Sequence, residues 1–334
     1  MAILERFSSV LLHTIPDALL SPGSRFFIGS LIAATVLAGA HIAWSRRKRG
    51  RVLRWRTVLA ALFPMRIWRH RSTRTDMFIL VTNLFLFALL LGWAVVNYLV
   101  IGTMVMEGLN GLFGARSPTE LPEVVARSLV TLWLFLVFEF AYWLEHYLMH
   151  RIPFLWEFHK VHHSAEYLTP LTVARMHPVE VLIYAQIKTV VLGTAAGLAA
   201  FGFGGTVEEY TFSGTNAIMV VFVHLYFHLQ HSHIWMAFTG LWGRMFSSPA
   251  HHQIHHSNDP KHFNKNLGGV LAVYDWLFGT LHMPSREREA LTLGIDAKGR
   301  DVHALGEAMF GPLRDAAGHL VKPVEPAPEP KTIS

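Results

Sequence analysis

Histidines of this chain are concentrated in two short stretches that share one spacing. Residues 159–163 read HKVHH and residues 252–256 read HQIHH, so each stretch has the form H-x-x-H-H. Positions i, i+3 and i+4 of a helix share one face, so each triplet is predicted to point three imidazoles at a common point. Imidazole is a frequent ligand of iron, zinc, copper and nickel. Two matching triplets therefore predict a metal centre rather than scattered surface histidines.

Further histidines flank the triplets. His146 and His150 form an H-x-x-x-H pair before the first triplet, and His177 follows it directly before Pro178. The apolar segment 215–236 carries four more, of which the first three share one helical face. These four are His224, His228, His231 and His233. With the pair added, the two triplets could enclose two metal ions.

This pattern resembles the fatty acid hydroxylase / sterol desaturase superfamily, a group of membrane proteins with histidine-rich metal centres. The resemblance covers about residues 139–282 and says little about the N-terminal third. Residues around the histidines strengthen it: Tyr142-Trp143 before the pair, PFLW before the first triplet, R-x-H-P at 175–178 and DWLFGT at 275–280.

The resemblance implies two iron ions that activate dioxygen, although the sequence by itself also allows zinc. Ten nitrogen ligands are too many for one metal of four to six coordination but fit two metals at about five each. In the segment 215–236, His231 best matches the single ligand histidine of the family, and His228 is the second choice. The predicted ligands are His146, His150, His159, His162, His163, His177, His231, His252, His255 and His256.

Two acidic residues are predicted to support the ligands. Glu139 is the one acid in the apolar run before His146 and lies seven residues from it, so it shares its helix face. An acid at membrane depth is costly and is a functional candidate, here as the acceptor for a ligand imidazole N–H. A protonated or arginine-paired structural acid is the alternative. Asp275 is predicted to hydrogen-bond a ligand histidine in the same way.

The composition favours a membrane protein. Of 334 residues, 52% are hydrophobic and only 16% are charged, too apolar for an ordinary soluble domain. The chain has no cysteine, which excludes cysteine-based zinc or iron–sulfur sites. We predict an all-α integral membrane helical bundle with about four transmembrane helices and a cytosolic histidine-rich helical cap.

Three regions are predicted along the chain. Residues 1–122 form an N-terminal membrane region with a basic cytosolic loop, and residues 123–283 form the histidine-rich di-metal hydroxylase domain. Residues 284–334 form a polar C-terminal extension whose Pro- and Glu-rich end is predicted to be disordered. No acidic residue occurs from Arg46 to Thr75, and excess basic residues mark the cytoplasmic side. We therefore expect a bacterial inner-membrane protein whose active site faces the cytoplasm.

The predicted function is hydroxylation, rather than desaturation, of a lipid by dioxygen. Apolar faces of 77–105 and 215–236 are expected to form the substrate tunnel. No G-x-G-x-x-G motif is present, so a separate reductase, ferredoxin or cytochrome must supply electrons, and the basic loop could bind this donor or membrane lipids. A nucleic-acid partner is excluded because the loop lies between two apparent spans. The alternatives are a zinc-dependent membrane hydrolase and a non-catalytic metal-binding membrane protein.

Overall fold

The structure is a computed structural model that describes residue 12 and residues 15–24 and 26–321. Within these ranges, the side chains of residues 15, 18, 85–97, 226 and 321 are left out of the description. The first eleven residues of the predicted N-terminal membrane region lie outside the described residues. The predicted disordered end, residues 322–334, also lies outside them.

The described chain is mostly helical, which confirms the predicted all-α class. Its first half contains α1 (Ile15–Leu20), α2 (Ile28–Lys48), α3 (Trp55–Leu62), α4 (Met65–Trp68), α5 (Arg71–Phe113) and α6 (Glu123–Arg151). The second half begins with α7 (Pro153–His163), a 3₁₀ turn (Pro170–Ala174) and α8 (Pro178–Phe203). The antiparallel strands β1 (Thr211–Phe212) and β2 (Thr215–Asn216) follow α8.

The remaining elements are short and surround the second triplet. They are α9 (Ala217–Phe222), a π-helical turn (Val223–Phe227), α10 (His228–Gln230), α11 (Gly240–Met245), α12 (Pro249–His255), a 3₁₀ turn (Pro260–His262), α13 (Val273–Leu277) and α14 (Leu305–Val321). Both triplet helices, α7 and α12, begin with a proline, which is favoured in the first turn because its missing N–H needs no partner there.

Three helices of the described residues, α2, α6 and α8, are long and apolar enough to cross a membrane. The 43 residues of α5 would extend about 65 Å at 1.5 Å per residue, enough for a fourth crossing, but the side chains of 85–97 are outside the description. The apolar segment 215–236 forms a helical run that is shorter than a membrane crossing. Its apolar helical run covers only Ala217–Gln230, whereas a crossing needs about 20 residues.

Glycines allow α5 and α8 to approach closely. A Cβ atom on Gly197 would lie 2.5 Å from the carbonyl oxygen of Gly102, and one on Gly193 would lie 2.9 Å from the carbonyl oxygen of Tyr98. Gly193 and Gly197 are four residues apart, the small-xxx-small spacing that brings membrane helices into backbone contact. This contact fixes the position of α8, whose first turn reaches the histidine site.

The triplet helix α7 is held from outside by the C-terminal helix. Lys160 Nζ of α7 lies 2.6 Å from Asp315 Oδ2 of α14, and Arg300 contacts the same carboxylate at 2.8 Å. The predicted C-terminal extension therefore contributes, through α14, to the support of the first triplet.

Candidate metal centre

Nine of the ten predicted ligands come together in two adjacent groups. In each group, one ring nitrogen from every member lies within 4.8 Å of the others. The five-histidine cluster consists of His146, His150, His159, His163 and His255, and the four-histidine cluster consists of His162, His231, His252 and His256. The two groups touch, since the rings of His163 and His256 have centroids 4.7 Å apart.

Each triplet divides between the two clusters, which corrects the prediction of one common point per triplet. In the first triplet, His159 and His163 join the five-histidine cluster while His162 joins the four-histidine cluster. The second triplet divides in the opposite sense, with His255 alone in the five-histidine cluster. The spacing explains this result, because residues i and i+4 lie nearly above one another on a helix, whereas i+3 is turned to the other side of that line.

Nitrogen–nitrogen distances in both clusters match those between ligands of one metal ion. His163 Nε2 lies 3.2 Å from His159 Nε2. In the four-histidine cluster, His231 Nε2 lies 3.2 Å from His162 Nε2 and 2.7 Å from His252 Nε2. With metal–nitrogen bonds of about 2.1 Å, neighbouring ligand nitrogens are about 3 Å apart. The clusters therefore have the dimensions of two nitrogen-ligated metal sites.

The protonation of two imidazoles is decided by their outer partners. His146 Nδ1 lies 2.7 Å from the carbonyl oxygen of Leu267, which can only accept, so His146 Nδ1 carries the proton. His159 Nδ1 donates to Glu180 Oε1 at 2.7 Å. A neutral imidazole has one N–H, so both Nε2 atoms present lone pairs, and these atoms lie 3.1 Å apart. Facing lone pairs repel, and a cation bound to both nitrogens removes that repulsion.

Other members of the five-histidine cluster would also be stabilised by a bound cation. His255 Nδ1 donates to the carbonyl oxygen of Lys265 at 2.9 Å, which directs its Nε2 lone pair into the cluster. The Nε2 atoms of His255 and His150 are buried and have no hydrogen-bond partner among the described residues. Burial lowers the pKa of His159, His163 and His255 well below the ordinary value, so these ligands are neutral. The donor set fits a divalent transition metal.

The four-histidine cluster is less firmly oriented. His162 Nδ1 lies 3.3 Å from the carbonyl oxygen of Arg175. The Nδ1 atoms of His231 and His256 are buried and have no hydrogen-bond partner in the described part of the chain. Burial lowers the pKa of His162 to about 3, so its imidazole is also neutral at physiological pH. This cluster fits a second metal ion, held with fewer outer contacts.

Glu180 is the carboxylate that supports a ligand, and the sequence analysis missed it. It lies in the first turn of α8, and its Oε2 also accepts from the His177 N–H at 3.4 Å, closing a capping box. The available signal was an acid three residues after His177 at the start of an apolar helix. That signal predicts the cap, but the partner His159 lies 21 residues away and is supplied by the tertiary fold.

Arg175 holds the end of α7 in place. Its guanidinium is fully buried, pairs with Asp76 at 2.8 Å, and donates to the carbonyl oxygen of Val161 at 2.8 Å and to Ser164 Oγ at 2.7 Å. The same residue's carbonyl accepts from His162. A buried charge is tolerated only when it is paired and hydrogen-bonded, as here. The R-x-H-P motif therefore contributes an anchor for the first triplet.

The two predicted supporting acids act on a loop rather than on a histidine, which corrects both predictions. Asp275 accepts from the backbone N–H groups of Leu267 and Gly268 at 2.8 and 2.7 Å. Glu139 accepts from the N–H groups of Val270 and Leu271 at 2.7 and 2.9 Å. Together they fix the loop whose Leu267 carbonyl orients His146. Their effect on the ligand therefore passes through the backbone.

One predicted ligand, His177, and the second-choice candidate His228 lie outside both clusters. His177 caps α8: its Nδ1 accepts from the Val179 N–H at 3.2 Å, and its Nε2 lies 2.9 Å from the Met309 carbonyl oxygen. With both ring nitrogens engaged, it is removed from the candidate set. His228, the less certain candidate, has its Nε2 3.0 Å from Ser30 Oγ.

Two cavities reach the clusters. The inner cavity, about 240 Å³, lies between α6, α8 and the 217–230 segment, and it is lined by four ligand histidines together with apolar side chains such as Phe138, Met219 and Val223. The outer cavity, about 1010 Å³, is lined by four other ligand histidines, by Trp156 and by many charged side chains. Segment 77–105 was predicted to line the substrate tunnel, but none of its described residues lines the inner cavity. Residues of α6 and α8 line it instead.

Comparison with known proteins agrees with this geometry. Residues 131–280 match the family model described as "Fatty acid hydroxylase". An alkylglycerol monooxygenase of Caenorhabditis elegans is 28% identical over 155 residues, covering 44% of this chain and 26% of the relative. The ornithine lipid hydroxylase OlsE of Rhizobium tropici is 32% identical over 163 residues, covering 48% of this chain and 44% of the relative.

A third similar protein is also a hydroxylase. Human cholesterol 25-hydroxylase is 27% identical over 182 residues, covering 52% of this chain and 60% of the relative. The chain thus spans less than two thirds of each of these relatives. No significant match to a solved structure was found. The resemblance inferred from the histidine spacing is confirmed, since residues 131–280 of this chain match the fatty acid hydroxylase family model.

Proposed function

We propose that this protein is a membrane-bound di-iron oxygenase that hydroxylates a lipid with dioxygen and external electrons. The observation that carries the proposal is the gathering of nine histidines in two adjoining clusters with the spacing of metal ligands, as in the 3.1 Å between the Nε2 atoms of His146 and His159. The five-histidine and four-histidine clusters would each hold one iron ion, and the pair of ions would supply the activation of dioxygen. Imidazole ligands suit iron, and the relatives named above are hydroxylases and monooxygenases.

The inner cavity is the proposed site for the lipid. It is bounded by helices long and apolar enough for a membrane, and ligand histidines of both clusters form one wall. An alkyl chain entering it would bring a C–H bond beside the metals while apolar walls exclude water. The larger outer cavity suits a lipid less well, because charged side chains such as Arg151, Lys160 and Asp315 line it.

The reaction requires two electrons and two protons: R–H + O₂ + 2 e⁻ + 2 H⁺ gives R–OH + H₂O. We assign the electrons to a separate reductase, ferredoxin or cytochrome that docks at the outer cavity. Trp156 lines this cavity, and its ring lies 5.2 Å from the rings of His150 and His163. This contact favours the outer cavity over the basic loop at 46–74 as the point of electron entry.

Glu145 is the proposed proton-holding group. It precedes His146 on α6 and lines the inner cavity. Its Oε1 atom is buried and has no hydrogen-bond partner among the described residues. A carboxyl group that touches the reaction space and is free of structural bonds at one oxygen can deliver a proton there.

The histidine cap is proposed to face the cytoplasm. The basic segment 46–74, which follows α2, contacts the same end of the bundle: Arg66 lies 2.9 Å from Tyr167 Oη, next to the first triplet. Excess basic residues stay on the cytoplasmic side. A bacterial inner membrane is the corresponding location.

An ¹⁸O₂ experiment tests the function. The purified, iron-loaded protein is reduced and incubated with a total lipid extract, and products are analysed by mass spectrometry. We expect a lipid that gains one oxygen atom, with ¹⁸O derived from O₂ and not from labelled water. His162→Ala should abolish the product, and His319→Ala, a histidine substitution on the surface of α14, should leave it unchanged.

Other outcomes would contradict the proposal. Loss of two hydrogens without ¹⁸O would indicate a desaturase. Stoichiometric zinc with oxygen-independent hydrolysis would indicate the zinc hydrolase, and bound metal without any product from the extract would indicate a metal-binding protein.

A further inference from the structure

A third group of metal-ligating side chains lies outside the two histidine clusters. It consists of His262, His282 and Glu289, and one ligand atom from each lies within 4.8 Å of the others. The rings of His262 and His282 have centroids 4.9 Å apart and are nearly perpendicular, at 82°. His262 ends the 3₁₀ turn after the second triplet, and the other two residues lie in the segment after α13. The group therefore joins two loops of the cap.

His262 is the observation that indicates a ligand. Its side chain is buried, with 1% of its surface exposed. Neither of its ring nitrogens has a hydrogen-bond partner among the described residues. An unpaired buried polar group destabilises the fold, and the described residues provide no hydrogen-bond partner for either ring nitrogen of His262. A bound ligand would supply that partner.

The donor set identifies the class of partner. Two imidazoles and one carboxylate are the ligands of a divalent first-row metal ion, and three protein ligands leave a fourth position for water. The Glu289 carboxylate supplies negative charge and is positioned by the Ser285 N–H, which donates to Oε1 at 3.1 Å. We propose that His262, His282 and Glu289 bind a divalent metal ion, with zinc the best match. This site is separate from the five-histidine and four-histidine clusters, which together are called the nine-histidine centre.

The role of this site follows from the loop that the bound metal would hold in place. Beyond His262, the chain runs through Lys265 and Leu267, whose carbonyl oxygens accept from His255 and His146. The metal would tie the start of this loop to residue 282.

Near its end, the loop is already hydrogen-bonded to His282 through Asn266. Asn266 Oδ1 accepts from the His282 N–H at 2.7 Å, and Asn266 Nδ2 donates to the His282 carbonyl oxygen at 2.9 Å. A metal at His262 and His282 would therefore hold both ends of the loop that orients two ligands of the five-histidine cluster. The site is structural, with no direct part in the reaction.

The chain has no cysteine, which allows a test specific to this site. The substitution His262→Cys keeps a zinc-type ligand and introduces the chain's single thiol. When the purified full-length protein is titrated with Co²⁺, we expect a thiolate-to-cobalt charge-transfer band in the near ultraviolet that saturates with added cobalt and disappears on addition of zinc. The control His319→Cys carries an exposed thiol and should give no band. Absence of the band from His262→Cys would overturn the proposal.

Metal counting gives a second readout that does not depend on the cysteine variant. Zinc-saturated His262→Ala and Glu289→Gln should each contain one zinc fewer per chain than the wild-type protein, while His233→Ala should match the wild type. Equal zinc in all four proteins would overturn the proposal. Both readouts compare this site alone, so they give the same answer whether or not the nine-histidine centre holds iron or turns over a lipid.

Discussion

The five-histidine and four-histidine clusters take their ligands from the same two triplets, yet their surroundings differ in charge. The first cluster has carboxylates beside it: Glu180 bonds to His159, and Glu145 lines the adjoining cavity. The second cluster has Arg175 beside it, and the backbone carbonyl of that residue, rather than a carboxylate, meets His162. In the five-histidine cluster three imidazoles have a defined outer acceptor, whereas in the four-histidine cluster one has.

This difference indicates that the two proposed metal sites are not equivalent. An outer carboxylate orients an imidazole and raises its basicity, and loss of such a partner typically costs 10–100-fold in metal affinity. We therefore infer that the five-histidine cluster is the tighter site, and that the four-histidine cluster is the more adjustable one. His162 and His231 of the four-histidine cluster line the inner cavity. An adjustable site at this position can meet dioxygen and the proposed lipid.

Removal of one ligand from either cluster should have the largest effect. We expect His163→Ala and His256→Ala each to reduce oxygen-dependent hydroxylation below about 1% of the wild-type rate, because the reaction needs both metals. Product formation in the lipid assay measures this. Substantial activity in only one of the variants would show that a single cluster suffices.

The next largest effect is expected at Glu145. The variant Glu145→Gln keeps the size of the side chain but cannot deliver a proton, so the turnover rate should fall by about 10²–10⁴-fold, the usual contribution of a positioned acid or base. The iron content should stay at the wild-type level, which separates this role from metal binding. The control is Glu123→Gln, at an exposed position of the same helix. A wild-type turnover rate in Glu145→Gln would remove Glu145 from the mechanism.

Glu180→Gln should weaken only the five-histidine cluster. The amide lacks the charge that orients His159, so the iron affinity of that cluster should fall by about 10–100-fold while the other cluster is unaffected. Competition with a chelator should then release the more tightly held iron at a lower chelator concentration than in the wild type, so that the two release steps move together. A wild-type release profile would mean that the charge of Glu180 does not distinguish the clusters.

Acid should release the two metals in order. The folded protein holds its ligand imidazoles neutral, with the pKa of His162 lowered to about 3 by burial, whereas an unfolded histidine titrates near 6.5. The unfolded chain therefore binds more protons, so stability and metal retention are full above about pH 7 and decline as the pH falls below 6.5. We expect two release steps, with the four-histidine cluster emptied at the higher pH. Glu180→Gln should merge the steps, and retention unchanged down to pH 5 would contradict this account.

The smallest effect is expected on the outer face of α7. Burial opposes ionisation of Asp315, but hydrogen bonds from Arg300 and Lys160 outweigh it and hold its pKa below the ordinary value. The side chains of Lys160 and Asp315 are 16% and 21% exposed, so solvent screens the pair. Asp315→Asn should lower the free energy of unfolding by only about 0–1 kcal/mol, measured by thermal unfolding. A loss of several kcal/mol would mean that α14 is essential to the cluster.

The helical class and eight of the nine clustered histidines could be predicted because both depend on local spacing, whereas His231 was selected by the family resemblance. A helix fixes the relative directions of residues three and four apart, so each H-x-x-H-H stretch identifies its members before the fold is known. The spacing also accounts for the separation of i+3 from i and i+4 in each triplet, but which cluster each part joins depends on how α7 and α12 face each other. That arrangement is tertiary and is not contained in the spacing.

The supporting residues were harder to predict because their partners are remote in sequence. Glu139 was correctly singled out as a buried acid, but its partners Val270 and Leu271 arrive from a loop more than 130 residues later. His177 has the residue type and location of a ligand, yet it is used as a helix cap. Composition and spacing describe what a side chain can do, and the fold selects which partner it meets.

Iron counting in single-cluster variants tests the central claim most directly. In the His262→Ala background, which removes the proposed third site, the iron-loaded protein should contain two irons per chain. Adding His163→Ala or His252→Ala should leave one iron in each case, because each substitution removes a ligand from a different cluster. One iron in the parent protein, or loss of both irons on either substitution, would contradict two separate metal sites built from the shared triplets.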